Sequence, residues 1–125
     1  MILAIDTSTD SYEFALFWPN KISKEFSAKR EDKKDALFFI DEFLKENNIN
    51  LQDLKAITVF RGPGSFTGLR VGISIANTLT FVLGIPIFGF SGYKYQKEPL
   101  KMAQKAFEKI KNKKTKTTPL VKPIY

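Results

Sequence analysis

The residues of this chain best suited to chemistry are few and lie in two short segments. The first is the glycine-rich stretch Arg61-Gly62-Pro63-Gly64-Ser65-Phe66-Thr67-Gly68, followed by Leu69 and Arg70. A loop of this kind between a strand and a helix presents free N–H groups at the helix start, which is an anion site and points to phosphate binding. Its spelling departs from both standard phosphate loops. It lacks the G-x-G-x-x-G spacing, and Leu69-Arg70 stand where a Walker loop carries Lys-Ser/Thr. A structural turn is the other reading, since glycine permits positive φ and Pro63 restricts its neighbour. The second segment is Asp6-Thr7-Ser8, an acid and two hydroxyls closing an apolar run. The 125 residues contain no His and no Cys. That excludes Cys-His catalysis, Ser-His-Asp triads and every zinc site built on imidazole or thiolate. A metal would rest on carboxylates alone, and no metal or other cofactor is expected.

These segments need elements to hold them. Met1–Asp6 and Lys55–Phe60 are apolar runs that read as buried strands, and Pro86–Phe90 is a shorter one. Ser11–Trp18 alternates, with Tyr12, Phe14, Leu16 and Trp18 on one side, and Ile22–Ala28 reads as an edge strand. Helical spacing of Leu37, Ile40, Phe43 and Leu44 predicts a helix over 33–47, with Glu42 and Lys45 paired on its outer side. Further helices are expected over 67–83 and, with Pro99 in its first turn, over 99–111, where Leu100, Ala103, Phe107 and Ile110 share a face. The order is β-β-β-α-β-α-β-α. It predicts an α/β lobe around a five-stranded mixed sheet, with an antiparallel meander followed by parallel crossovers. At 43% hydrophobic residues the chain can fill one core.

Charge divides the chain. Residues 1–93 carry ten Lys/Arg against eleven Asp/Glu, a net of −1, while residues 94–125 carry ten Lys against Glu98 and Glu108, a net of +8. The basic end, with Lys109, Lys111, Lys113, Lys114 and Lys116, is either a solvated face or a phosphate-contacting arm for nucleic acid. Having no Arg, it would neutralise phosphates without reading bases. Residues 66–90 hold a single charge, Arg70, and are long enough to span a bilayer. Polar residues within the stretch and the helix stop Gly84-Ile85-Pro86 favour a buried helix and a strand instead, so no membrane partner and a cytoplasmic location are expected.

The helix after the glycine loop is apolar on most of its circumference. Such a helix needs cover on more than one side. Gly68, Gly72, Ala76 and Thr80 form an i, i+4 row that would let another backbone approach closely. This predicts a partner interface made of Leu37, Ile40, Leu44, Leu69, Gly72, Ile73, Ala76 and Thr80, the other outcome being packing of the row on the protein's own sheet.

Met1-Ile2-Leu3-Ala4-Ile5-Asp6-Thr7-Ser8, the long motif Gly62-Pro63-Gly64-Ser65-Phe66-Thr67-Gly68-Leu69-Arg70-Val71-Gly72-Ile73, and Ile87-Phe88-Gly89-Phe90-Ser91 together closely resemble the TsaB (YeaZ) family. The resemblance implies an actin-like, ribonuclease-H-like lobe. It also implies a non-catalytic subunit that partners TsaD in making threonylcarbamoyladenosine in bacterial tRNA. Helix contact with a TsaD-like partner, self-association through the same surface, and a TsaE-like ATPase reached through the complex are further implications. Asp6, Thr7 and Ser8 resemble a vestigial first phosphate loop. TsaD-type catalysis relies on a metal held by histidines, and this chain has none. Family members are usually nearly twice as long, with two subdomains. Residues 1–93 look like the first of these. Residues 94–125 look like the far C-terminal helix and Pro-x-Tyr tail, here Pro123-Ile124-Tyr125, returning to the same lobe as one domain. A single-lobe nucleotide-binding protein of the actin-like ATPase superfamily is the alternative.

Overall fold

The computed structural model describes residues 1–31, 33–112 and 121–122. Its strands are β1 (Ile2–Asp6), β2 (Ser11–Phe17), β3 (Lys24–Lys29), β4 (Ala56–Phe60) and β5 (Ile87–Phe90). Its helices are α1 (Ala36–Glu46), α2 (Phe66–Leu83) and α3 (Pro99–Lys111), with a 3-10 turn at Leu51–Asp53. The sheet order is β3-β2-β1-β4-β5. β1–β2 and β2–β3 are antiparallel, and β1–β4 and β4–β5 are parallel. This is the mixed five-stranded sheet that the element order predicts.

Every residue of β1 and β4 is buried. Their unbroken apolar runs reflect central strands covered on both faces, where alternation has no use. On one face Phe14 meets Phe43 of α1, with ring centroids 6.4 Å apart. On the other, Phe17 meets Phe107 of α3 at 5.6 Å. α2 lies on the same side as α1, its Gly72 beside Ile5 and Thr7. The abundance of Phe is spent partly on a seam between β2, β3 and α1. There Phe26 lies 5.4 Å from Phe14 and 5.6 Å from both Phe39 and Phe43.

Local signals set the helix ends. The Asp35 carboxylate accepts from the Phe38 N–H at 2.8 Å and starts α1 there, not at residue 33. Starting the phase at Ala36 buries Ala36, Phe39, Ile40, Phe43 and Leu44 and turns Leu37 outward, 53% exposed. The expected Glu42–Lys45 pair is replaced by Asp41–Lys45 at 2.8 Å, and this hydrogen bond raises the Lys45 pKa. Ser65 caps α2 by accepting from Gly68 N–H, and Gly84 ends it in the left-handed conformation at φ 66°. α3 buries Pro99, Met102, Ala103 and Ala106 across β1, β2 and β4, so its stripe is shifted from the one expected. Leu100, Phe107 and Ile110 flank it, half-buried.

Two details lead to predictions. Thr58 on β4 is fully buried, and its Oγ1 has no partner among the described residues. An unmet buried hydroxyl costs about 1–3 kcal/mol. Thr58→Val keeps the shape and removes the cost, so it should raise the melting temperature by several degrees; a fall would contradict this.

The second detail is at residues 121–122. The Asn77 side chain donates to Val121 O and accepts from Val121 N–H, both at 2.9 Å, while Arg61 Nε donates to Lys122 O at 2.8 Å. The Val121 side chain packs beside Gly89. One amide thus reads both backbone groups of a residue 44 positions away. Asn77→Leu should release this segment, seen as faster amide hydrogen exchange at Val121 with the sheet amides unchanged. Unchanged protection at Val121 would refute the clasp.

Candidate functional site

The two segments singled out in the sequence meet at the C-terminal ends of β1 and β4, where open α/β sheets place their ligands. Here that position is filled by the chain itself. Asp6 is 1% exposed; its Oδ1 accepts from Ser8 N–H and its Oδ2 from Lys97 N–H, each at 2.8 Å. Lys97 takes a left-handed φ of 58° to make that bond. Thr7 Oγ1 donates to Gly68 O at 2.5 Å and accepts from Gly72 N–H at 3.0 Å. Ser65 N–H donates to Ser8 O at 3.0 Å, and Gln96 Nε2 donates to both Ser8 Oγ and Pro63 O. Arg30 closes the far side: its Nε donates to Thr9 O at 2.8 Å, and its Nη2 to Thr7 O.

The glycines of the motif are required by space. A Cβ at Gly64 would stand 2.7 Å from Ser8 Cβ, and one at Gly72 would stand 2.5 Å from Thr7 Oγ1. At Gly68 it would overlap the Arg30 guanidinium and the Thr7 carbonyl oxygen. The strand–loop–helix segment is therefore a clasp in which the β1–β2 turn seats directly on the first turns of α2. Of the two readings of the glycine loop, the structural one accounts for its contacts. Gly62-Pro63 is a cis peptide, and Phe66, Thr67 and Arg70 lie exposed at the tip, with the Arg70 guanidinium 5.3 Å over the Phe66 ring. Among the described residues no three of His, Cys, Asp and Glu gather in metal-binding geometry.

The expected partner interface is corrected in detail. Leu69, Gly72, Ile73, Ala76 and Thr80 are buried in the lobe, as are Ile40 and Leu44 of α1. The small row faces the sheet because Thr7 and Ile5 need the space above Gly72. Of the eight residues only Leu37 is open to a partner. The outward side of α2 is a different stripe. Phe81 and Val82 are 82% and 72% exposed, and Val71 and Ile75 are half-buried. By length and composition α2 could cross a membrane, yet it lays one side on β1, β4 and β5.

Lys109 and Lys111 are exposed on α3, whereas Lys113, Lys114, Lys116 and the Pro123–Tyr125 tail lie outside the described residues. Sequence reasoning missed Arg30, Gln96 and Lys97 as the closures of the turn. Nothing in their local sequence marks them, since each acts on a residue 21 or more positions away.

The family model for TsaD, tRNA N6-adenosine threonylcarbamoyltransferase, matches residues 26–112. The tRNA threonylcarbamoyladenosine biosynthesis protein TsaB of Buchnera aphidicola (subspecies Schizaphis graminum) is 40% identical over 114 residues, covering 90% of this chain and 51% of that protein. TsaB of Escherichia coli is 37% identical over 91 residues, covering 72% and 39%. The solved structure of YeaZ from Pseudomonas aeruginosa superposes with a TM-score of 0.66 at 31% identity, covering 72% of this chain and 44% of that one. The chain spans about half the length of these relatives or less. Sequence shared with TsaB proteins over most of the chain, with a matching fold, shows that the chain belongs to the TsaB (YeaZ) family.

Proposed function

We propose that this chain is a non-catalytic subunit in tRNA threonylcarbamoyladenosine synthesis, docking a TsaD-like transferase and supporting its action on tRNA adenosine. The observation that carries this reading is the filled Asp6-Thr7-Ser8 turn. Both carboxylate oxygens and the Thr7 hydroxyl are bonded to the protein's own groups, in a chain with no His or Cys to replace them. Kinship with TsaB proteins, named for tRNA threonylcarbamoyladenosine biosynthesis, supports the process, and the match to the TsaD family model favours a partner of that class. The exposed side of α2 and the exposed Leu37 of α1 are the positions we assign to the partner; a second copy of the chain would compete for them. A cytoplasmic location and a TsaE-like ATPase joining through the transferase belong to the same proposal.

The test is co-expression with the TsaD-like protein of the same cell. The two should co-purify, and cells deprived of this chain should lose threonylcarbamoyladenosine from their tRNA. Titration of ATP or ADP into the isolated chain should give no heat of binding. Binding abolished by Asp6→Asn, without association with the transferase, would replace this proposal with the nucleotide-binding one.

A further inference from the structure

Acidic and basic residues part company along the chain more sharply than its net charge suggests. Residues 1–53 carry eleven acids and seven bases, whereas residues 54–125 carry thirteen bases and only Glu98 and Glu108. From Leu54 to Lys97 there is no acid at all. The fold brings part of this excess together. After β5 the loop 92–97 passes over the ends of β1 and β4, where Lys97 N–H is tied to Asp6 and Gln96 to Ser8 and Pro63. That anchoring leaves the side chains of Tyr93, Lys94 and Lys97 exposed, and Tyr93 is 76% so. Lys94 Nζ lies 5.1 Å over the Tyr95 ring, and Lys101 Nζ donates to Lys94 O at 3.3 Å, so loop and α3 form one surface. Lys101, Lys105 and Lys109 continue it along α3, all exposed, at intervals of four residues or about 6 Å. Lys105 pairs with Glu108, the acid on this part of α3, at 3.2 Å.

We infer that loop 92–97 and the exposed lysine row of α3 form a docking surface for RNA. The lysines would neutralise backbone phosphates, and Tyr93 would stack on an unpaired base. Lysine ammonium groups act as point charges and bind phosphate without base preference, so the surface is sequence-independent. The largely exposed Tyr93 ring makes no ring or hydrogen-bond contact among the described residues, and such a ring is what a single-stranded base stacks on. These two features together favour RNA over an acidic protein, which would use the charge but not the ring. The inference rests on the proposed role in tRNA modification for its choice of tRNA as a probe. It also moves the contact from the basic end of the chain to a surface tied to the sheet.

The experiment is fluorescence anisotropy on the full chain, titrated over a salt series. The probes are bulk tRNA, a 12-nucleotide oligo-U and a 12-base-pair RNA duplex. The triple variant Lys94→Gln, Lys97→Gln, Lys101→Gln should lower the slope of log affinity against log salt for oligo-U by about 2, since each single-strand phosphate contact contributes about 0.7. Tyr93→Leu should weaken oligo-U binding about 5- to 100-fold and leave the duplex nearly unchanged. Lys45→Gln, on α1, should change neither, and thermal melts should show all variants folded. No RNA binding at low salt, an unchanged slope in the triple variant, or an equal effect of Tyr93→Leu on duplex and single strand would overturn the inference. So would polyglutamate competing as well as oligo-U at equal charge, which would mark an acidic-protein surface. An unaltered chain that binds no RNA while the transferase co-purifies refutes this surface alone; one that binds RNA but does not co-purify with the transferase refutes the proposed function alone.

Discussion

Gly72→Ala should destabilise the lobe by about 2–3 kcal/mol, an overpacking cost in the upper part of the usual range. The added methyl would stand 2.5 Å from Thr7 Oγ1 and 3.3 Å from Thr7 Cγ2 and Ile5 Cγ2. Neither neighbour can withdraw, because Thr7 is bonded to Gly68 O and Gly72 N–H and Ile5 is fully buried in the sheet. Thr7→Ala alone should cost about 1–3 kcal/mol through its two lost bonds. Because Thr7→Ala also removes two of the three atoms that the new methyl would meet, including the nearest, Thr7 Oγ1, and leaves only Ile5 Cγ2, the double variant should be more stable than the sum of the single effects by about 1–3 kcal/mol, the range seen for residues in contact. Denaturant melts of the four proteins close the cycle. Additive effects would mean that the β1–β2 turn does not seat on α2 as described. A domain of this size has roughly 5–15 kcal/mol in all, so Gly72→Ala alone should visibly lower its soluble yield.

That seat was only half legible in the sequence. The glycine stretch announces a close approach of something, because glycine spacing marks where a side chain cannot fit. What approaches is set by the pairing of β1 with β4, which places Thr7 above residues more than 60 positions away. A loop that offers N–H groups to a phosphate and one that offers them to a neighbouring turn have the same local composition. The sheet, by contrast, was readable throughout, since continuous apolar runs at Ile2–Ile5 and Ala56–Phe60 have no stable place other than the middle of a covered sheet. Helix phase was readable only where a cap fixed it. In α1 the spacing of Ile40, Phe43 and Leu44 marks the buried face. Only Leu37 falls off it, because the Asp35 cap starts the helix at Ala36 and brings Ala36 and Phe39 inward instead. α2 failed for a related reason: with apolar residues all round, periodicity cannot say which side is inward. The choice was made by glycine and alanine, small enough to let α2 sit close on β1, and not by the larger side chains.

The same geometry separates docking from folding on α2. Val82→Glu and Leu37→Glu place a carboxylate at exposed positions of α2 and α1, where the isolated lobe has little to lose; such surface changes usually stay within about 0.5 kcal/mol. Within a closed helix contact the same carboxylate would be desolvated without a partner, and central interface changes cost about 2 kcal/mol or more. Association with the transferase, or between copies, should therefore weaken by about 30-fold or more, each 1.4 kcal/mol being a factor of ten. Ala76→Leu should do the opposite. Ala76 is fully buried in the lobe, so the larger side chain should lower the melting temperature while the folded fraction associates as before. Sedimentation and melting of the three variants give a crossed pattern that one shared surface cannot produce. If Val82→Glu and Leu37→Glu associate normally while Ala76→Leu does not, the partner inserts between α2 and the sheet, and the outward stripe is not the interface.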